Sequence, residues 1–80
     1  MEIAEYMDMA KQNVTIRIAK DHEEHFDSIV RSLEDNGLTH PNPTKRFLIV
    51  NGEIEETSIP KLRSTDGVVS VRPDHIYQAL

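Results

Sequence analysis

The chain has 80 residues, no cysteine, and 14 acidic against 9 basic residues, which gives a formal net charge of -5. This length predicts one small domain of modest stability, and the absence of cysteine excludes disulfides and thiolate metal sites. The negative charge disfavours nucleic acid as a partner. The acidic N-terminus is not typical of a signal peptide, and no apolar stretch could span a membrane. We therefore expect a soluble, cytoplasmic domain.

The first elements are a leader and a strand. Residues 1–12 predict only a flexible or loosely helical leader, because they are acidic and lack a helix cap or a strong apolar stripe. The single domain is expected to occupy residues 13–80. Residues 13–20 predict the first strand, since Val14, Ile16 and Ile18 alternate with more polar positions. One face of this strand should be core, and the other can face solvent.

The next segment predicts the first helix. Asp21 is the expected N-cap, with Glu24 at the spacing of a capping box. Gly37 should end the helix in the left-handed conformation, and Leu38 can then fold back on the last turn. The apolar stripe that should be buried consists of Phe26, Ile29, Val30 and Leu33.

Two further strands are expected in the middle of the chain. Residues 38–45 predict a short edge strand or a loop, because Pro41 and Pro43 remove ladder donors. Residues 46–54 predict a central strand, because their apolar run occupies both alternating faces. One apolar set should therefore lie on the sheet face away from the helices. That set is either Phe47 with Ile49 or Leu48 with Val50.

A short helix and a strand complete the pattern. Thr57 or Ser58 should cap the helix, with Pro60 in its first turn and Ile59 and Leu62 facing inward. Asp66 and Gly67 form a turn into the last strand, residues 68–72, which Pro73 should stop. In that strand the alternation places Val69 and Val71 on one face, and Val68, Ser70 and Arg72 on the other.

This order of elements predicts an α+β, ferredoxin-like βαββαβ plait, a four-stranded antiparallel sheet with two helices on one face. The right-handed crossover rule places the first and third strands in the centre. The second sheet face is bare in such a plait, so that function depends on what covers it.

The last fourteen residues, GVVSVRPDHIYQAL, resemble the end of subtilisin propeptides and of the stand-alone protease inhibitors related to them. The shared features are an apolar strand, an Asp-His pair and a short tail that ends in a large apolar residue. The match is clearest over residues 58–80 and looser over 13–57. Arg72 departs from the family, which commonly has an acidic residue there, and it would repel a positive helix end.

The resemblance implies a non-enzymatic module whose bare sheet face packs on a subtilisin-like serine protease while the tail adds a strand in the substrate cleft. Tyr77 and Leu80 would fill substrate pockets, and Asp74 would cap an enzyme helix. The protein could then be an inhibitor or a folding assistant. The protein-binding residues implied in this way are Asp74, His75, Ile76, Tyr77, Gln78, Ala79 and Leu80.

The chain also resembles small stand-alone proteins of unassigned function, some of which are named ketohydroxyglutarate aldolase. These share the Val-Thr-Ile-Arg-Ile-Ala segment and a Pro-acidic ending with Tyr-Gln. That chemistry needs a Schiff-base lysine in a barrel of roughly 200 residues or more, so we reject it for a plait of 80 residues. The lysines that would lack such a pocket are Lys11, Lys20, Lys45 and Lys61.

Other interpretations remain open or are set aside by residue type. The bare face could be a homodimer seam, and the main alternative function is a dimeric ligand-sensing or scaffold domain. His22 and His25 are three residues apart rather than four, which favours a solvated polar face over a metal site. We expect no metal and no cofactor. RNA recognition would need more aromatic and basic residues, and a heavy-metal carrier would need a cysteine pair.

Overall fold

The computed structural model of the chain describes residues 11–74. The predicted leader lies outside these residues except for Lys11 and Gln12, which belong to the first strand. Short 3-10 segments, Lys20–His25, Lys45–Phe47 and Glu56–Ser58, precede the first helix, the third strand and the second helix. The strands are β1 (Lys11–Ile18), β2 (Thr39–Thr44), β3 (Ile49–Glu55) and β4 (Val68–Pro73), and the helices are α1 (Phe26–Asp35) and α2 (Ile59–Arg63).

The predicted plait is confirmed. The elements follow one another as β1-α1-β2-β3-α2-β4, and the strands form one four-stranded sheet in the order β2-β3-β1-β4. Each neighbouring pair is antiparallel, and β1 and β3 are central, as the crossover rule requires. β2 is an edge strand, and Pro41 and Pro43 lie within it.

One apolar core lies between the helices and one face of the sheet. β1 contributes its alternate residues Val14, Ile16 and Ile18, each at most 4% exposed. Because side chains alternate across a strand, the residues between them face the opposite side. The rest of the core comes from α1, the turn after it, β3, α2 and β4. These residues are Phe26, Ile29, Leu33, Leu38, Val50, Ile54, Ile59, Leu62 and Val71.

The end of α1 is as predicted, but its start is not. Gly37 has a φ of +115°, its N–H donates to the carbonyl of Glu34, and the N–H of Leu38 donates to the carbonyl of Leu33. These two bonds make a Schellman motif. The predicted Asp21 cap was wrong, because residues 20–25 form a 3-10 segment with a non-helical His22, and α1 begins only at Phe26. The Asp21 carboxylate lies 3.2 Å from the His22 ring instead.

The start of β3 also differs from the prediction. Phe47 belongs to the 3-10 segment before the strand, and Leu48 adopts a left-handed backbone with a φ of +57°. This turn reorients the chain, so β3 begins at Ile49 rather than Arg46. Val50 then faces the core, and Ile49 alone of the apolar run faces the open side of the sheet. The expected pair on that side was wrong.

A bulge changes the predicted faces of β4. Ile18 pairs with Val68 while Arg17 pairs with Ser70, so Val69 is an extra residue opposite β1. Val71 is buried, as predicted, but Val69 is 64% exposed, and Val68 packs against the core instead. The prediction that Val69 and Val71 share a face was therefore wrong, since simple alternation does not include an inserted residue.

Candidate protein-binding face

The side of the sheet away from the helices is the candidate site, and we call it the open face. Residues that are directly paired across neighbouring strands lie on the same face of the sheet, so the register shows which residues belong to this face. β1 and β3 form its centre, and the edge strands form its sides. Its residues are Lys11, Asn13, Thr15, Arg17, Thr39, Asn42, Thr44, Ile49, Asn51, Glu53, Glu55, Ser70 and Arg72.

The open face is polar, which corrects the expectation of an unprotected apolar side. Ile49 is its one large aliphatic residue, and it is only partly exposed. The expectation failed because residues 47 and 48 lie in the turn rather than in the strand. An antiparallel sheet that faces water on one side has this alternation of apolar and polar positions. A partner for this face must therefore offer hydrogen bonds and charges.

Hydrogen bonds hold some of these polar side chains in place. The Thr15 hydroxyl donates to Asn51 Oδ1 at 2.9 Å, which joins the two central strands. Toward the β2 edge, the Thr39 hydroxyl donates to the Glu53 carbonyl at 3.0 Å. His40 Nδ1 lies 3.7 Å from the Glu53 carboxylate. The centre of the face is thus a short ordered row of hydroxyl and amide groups.

Charges on the open face are sorted by sign along the strands. Arg17 pairs with Ile49 and Ser70, in the row nearest the end of the sheet where β3 begins, whereas Arg72 pairs with Thr15 in the central row. The turn with Lys45 and Arg46 is at the same end as Arg17. We call Arg17, Lys45 and Arg46 the basic end.

The opposite end of the open face is mainly acidic. Glu53 pairs with Asn13, and Glu55 pairs with Lys11. Asp74 follows β4, and its backbone N–H donates to the Asn13 carbonyl at 2.7 Å. Alternation from Arg72 puts Asp74 on the same face. We call Glu53, Glu55 and Asp74 the acidic end. Lys11, a cation of β1, lies at the same end of the face.

The basic end also carries the most exposed apolar side chains of residues 11–74. Phe47 is 66% exposed, and the Arg46 guanidinium carbon lies 5.8 Å from the centre of its ring, within the range of a cation–π contact. Leu48 holds a backbone conformation that side chains with a Cβ disfavour. Val69, on the β4 bulge, is exposed at the same end of the sheet. The sequence did not lead us to expect these exposed residues, although the triplet Lys45-Arg46-Phe47 places an aromatic residue directly after two cations.

Of the predicted binding residues, only Asp74 is described, and His75, Ile76, Tyr77, Gln78, Ala79 and Leu80 lie outside the described residues. Asp74 lines an open depression of about 420 Å³ together with Thr15, Arg72 and Pro73. The predicted Asp74 is thereby brought next to Arg72, the residue that departs from the propeptide pattern. The hydrogen bond to Asn13 fixes the point from which the chain continues beyond the sheet.

A second depression, of about 200 Å³, lies on the helix side and is lined by His22, His25, Ser28, Ile29, Ser32 and Asp66. His22 Nδ1 lies 3.2 Å from the Asp21 carboxylate. Within residues 11–74, no three histidine or acidic side chains are grouped so that they could hold a metal ion.

No protein-family model, curated protein or solved structure matches the chain. In the part of the chain that the structure describes, no helix has the length and apolar character needed to cross a membrane.

Proposed function

We propose that the chain is a non-enzymatic protein-binding module that docks on a subtilisin-like serine protease and acts as its inhibitor or folding assistant. The open face and the C-terminal residues 75–80 would both contact the enzyme. The observation that carries this proposal is the hydrogen bond from the Asp74 N–H to the Asn13 carbonyl at 2.7 Å. It holds Asp74, the residue before the C-terminal segment, at the rim of the open face.

The physical argument is that a sheet face and an extended segment support one another in binding. An extended segment can add a strand to a partner, where main-chain hydrogen bonds supply affinity and alternate side chains fill pockets. A rigid platform that positions this segment lowers the ordering cost of binding. The resemblance of residues 67–80 to subtilisin propeptides names the class of partner, with Tyr77 and Leu80 as the pocket residues.

The polar open face changes the expected chemistry of this contact. Carboxylates such as those of Glu53 and Glu55 suit the positive N-termini of helices on a partner, whereas Arg17 and Arg72 require acidic groups. The association should therefore become weaker and slower as salt is added. We also propose a cytoplasmic location, because the chain contains no cysteine.

A subtilisin activity assay tests the proposal. The full-length protein is titrated against the protease with a peptide substrate, beside a chain that ends at Ile76. We expect inhibition by the full-length protein and a loss of at least about a hundredfold in affinity without Tyr77 to Leu80, because pocket-filling anchors carry most of the binding energy of such interfaces. A refolding assay of the denatured protease, with and without the protein, tests the folding-assistant role.

One open-face variant and one control on α1 make the assay more specific. Glu53→Arg reverses a charge on the open face, and Arg31→Glu reverses one on the exposed side of α1, away from that face. The first should weaken inhibition about tenfold and the second should leave it unchanged. Absence of both inhibition and refolding assistance by a folded full-length protein would refute the proposal.

A further inference from the structure

We propose that a second copy of the chain is a partner of the open face, and that two copies pair face to face with the basic end of each over the acidic end of the other. This inference goes beyond the proposed function, since it needs no protease. It depends on the charge pattern of the open face and on the exposed aromatic residue beside it.

The charges of the open face indicate that its partner is a second copy of the chain. The whole chain carries a net charge of -5, so a random encounter of two copies is repulsive. The open face does not share this excess, because Arg17 lies at one end, Glu53, Glu55 and Asp74 lie toward the other, and Arg72 lies in the row between them. A surface with separated positive and negative ends is complementary to itself after reversal. A second copy in the opposite direction offers the matching surface.

Symmetry selects the direction of pairing. A two-fold axis that lies between the faces and runs across the strands reverses the strand direction, and thus places unlike ends over each other. An axis parallel to the strands would place like ends together, which costs free energy. The row with Thr15, Asn51 and Arg72 lies between the two ends, near the axis, so the two Arg72 side chains also approach each other there and weaken the pair. The hydroxyl and amide groups of this row would meet the same row of the other copy, where they can donate and accept hydrogen bonds.

The turn before β3 supplies an apolar anchor at the basic end. Phe47 is 66% exposed beside Arg46, and aromatic and arginine side chains are enriched where binding energy concentrates. Leu48 has a φ of +57°, a conformation that costs free energy for a residue with a Cβ. The fold therefore maintains a strained turn that leaves Phe47 in solvent. In the reversed pair, this turn would extend over the acidic end of the second copy.

The size of the face sets the strength of the pair. Four strands spaced about 4.8 Å apart and about 25 Å long give a face of roughly 450 Å² per copy. A standard stable interface buries about 800 Å² per partner, so we expect a weak dimer with a dissociation constant in the micromolar to millimolar range. Such a dimer would cover the open face when the protein is concentrated and expose it on dilution. It would thus compete with any other partner of that face.

Sedimentation velocity of the full-length protein tests the dimer. We expect the dimer fraction to increase between about 10 μM and 1 mM protein, and to fall when salt is raised from about 0.05 M to 0.5 M. Arg17→Glu should weaken the dimer about tenfold, because the two-fold axis makes each substitution act twice on pairs worth a fraction of a kcal/mol each. Phe47→Ser should also weaken it by about tenfold or more.

A charge swap makes the test specific. Glu53→Arg alone should weaken the dimer as Arg17→Glu does, whereas the double variant should recover part of the loss, since positions 17 and 53 of facing copies then again carry opposite charges. Arg31→Glu is the matched control for Arg17→Glu, because it changes the net charge equally but lies on α1 and should act only through that net charge. Far-UV circular dichroism and urea midpoints verify that each variant is folded.

Two results would overturn the inference. One is a protein that stays monomeric at all concentrations, and the other is a dimer that is unaffected by salt and by Arg17→Glu. The protease assay is run at nanomolar protein, where the dimer is dissociated. Loss of inhibition without loss of the dimer would therefore contradict only the proposed function, and the reverse result would contradict only this inference.

Discussion

The two faces of the sheet are built from the same strands and follow opposite rules. On the covered face, Val14, Ile16 and Ile18 of β1 are almost completely buried against the helices. On the open face, Asn13, Thr15 and Arg17 of the same strand remain in contact with solvent. Covered positions are restricted by volume, because neighbouring atoms surround them. Open positions are restricted by charge and by hydrogen bonding, and these can be changed with little effect on folding.

We expect the covered face to determine the stability of the fold and the open face to determine association with partners. All twelve buried apolar residues of the described chain lie in the one core on the covered side. A domain of this size has roughly 3–5 kcal/mol of stability, so a single core residue can account for much of it. Substitutions on the open face should instead alter association with partners.

The largest effect is expected for Leu33→Ala on α1. Leu33 has no exposed surface, and its truncation leaves a cavity between the helix and the sheet, which costs about 2–5 kcal/mol. The variant should be largely unfolded or should have a urea midpoint close to zero. Circular dichroism during urea titration provides the measurement.

Val69→Ala is the matched control for that truncation. It also removes aliphatic carbons, but Val69 is 64% exposed on the bulge of β4. Its cost should stay within about 0.5 kcal/mol. A loss at Val69 as large as that at Leu33 would mean that the open side also contains a core.

An intermediate effect is expected for Gly52→Ala in β3. A Cβ at this position would lie 2.7 Å from Leu38 Cδ1 and 3.1 Å from the Thr39 carbonyl oxygen, so the edge strand must move away. Overpacking of this kind costs about 1–3 kcal/mol. Asn13→Ala, which adds no atom and lies on the open face of β1, should change stability by less than about 0.5 kcal/mol. Equal urea midpoints for the two variants would contradict this packing argument.

The sequence predicted the covered face better than the open face, and the reason is physical. Buried positions repeat with the period of their element, so the stripe from Phe26 to Leu33 and the alternation in β1 indicated the core directly. The Gly37 end of α1 was also predictable, because few other residues adopt its backbone conformation.

Errors occurred where a turn or a bulge shifts the period. Leu48 has a left-handed backbone, so Phe47 lies before β3 and not within it. Val69 is the extra residue of the β4 bulge, so it does not share a face with Val71. Neither position carries glycine, so neither gives the usual signal for an unusual backbone. The sorted charges of the open face depend on the register between strands that are distant in sequence, and this register follows only from the folded sheet.

The smallest effect is expected for the hydrogen bond between the Thr15 hydroxyl and Asn51 Oδ1, the pair at the centre of the open face. A double-mutant cycle with Thr15→Val and Asn51→Ala isolates their interaction from the loss of either side chain. We expect a coupling of about 0.5 kcal/mol, because water competes for both groups at an exposed cross-strand pair. Urea midpoints of the four proteins give this value, and the same cycle measured on the dimer tests whether the row also contacts a second copy. A coupling above about 2 kcal/mol would be typical of a buried polar network, and would show that the open face is shielded from solvent in the free protein.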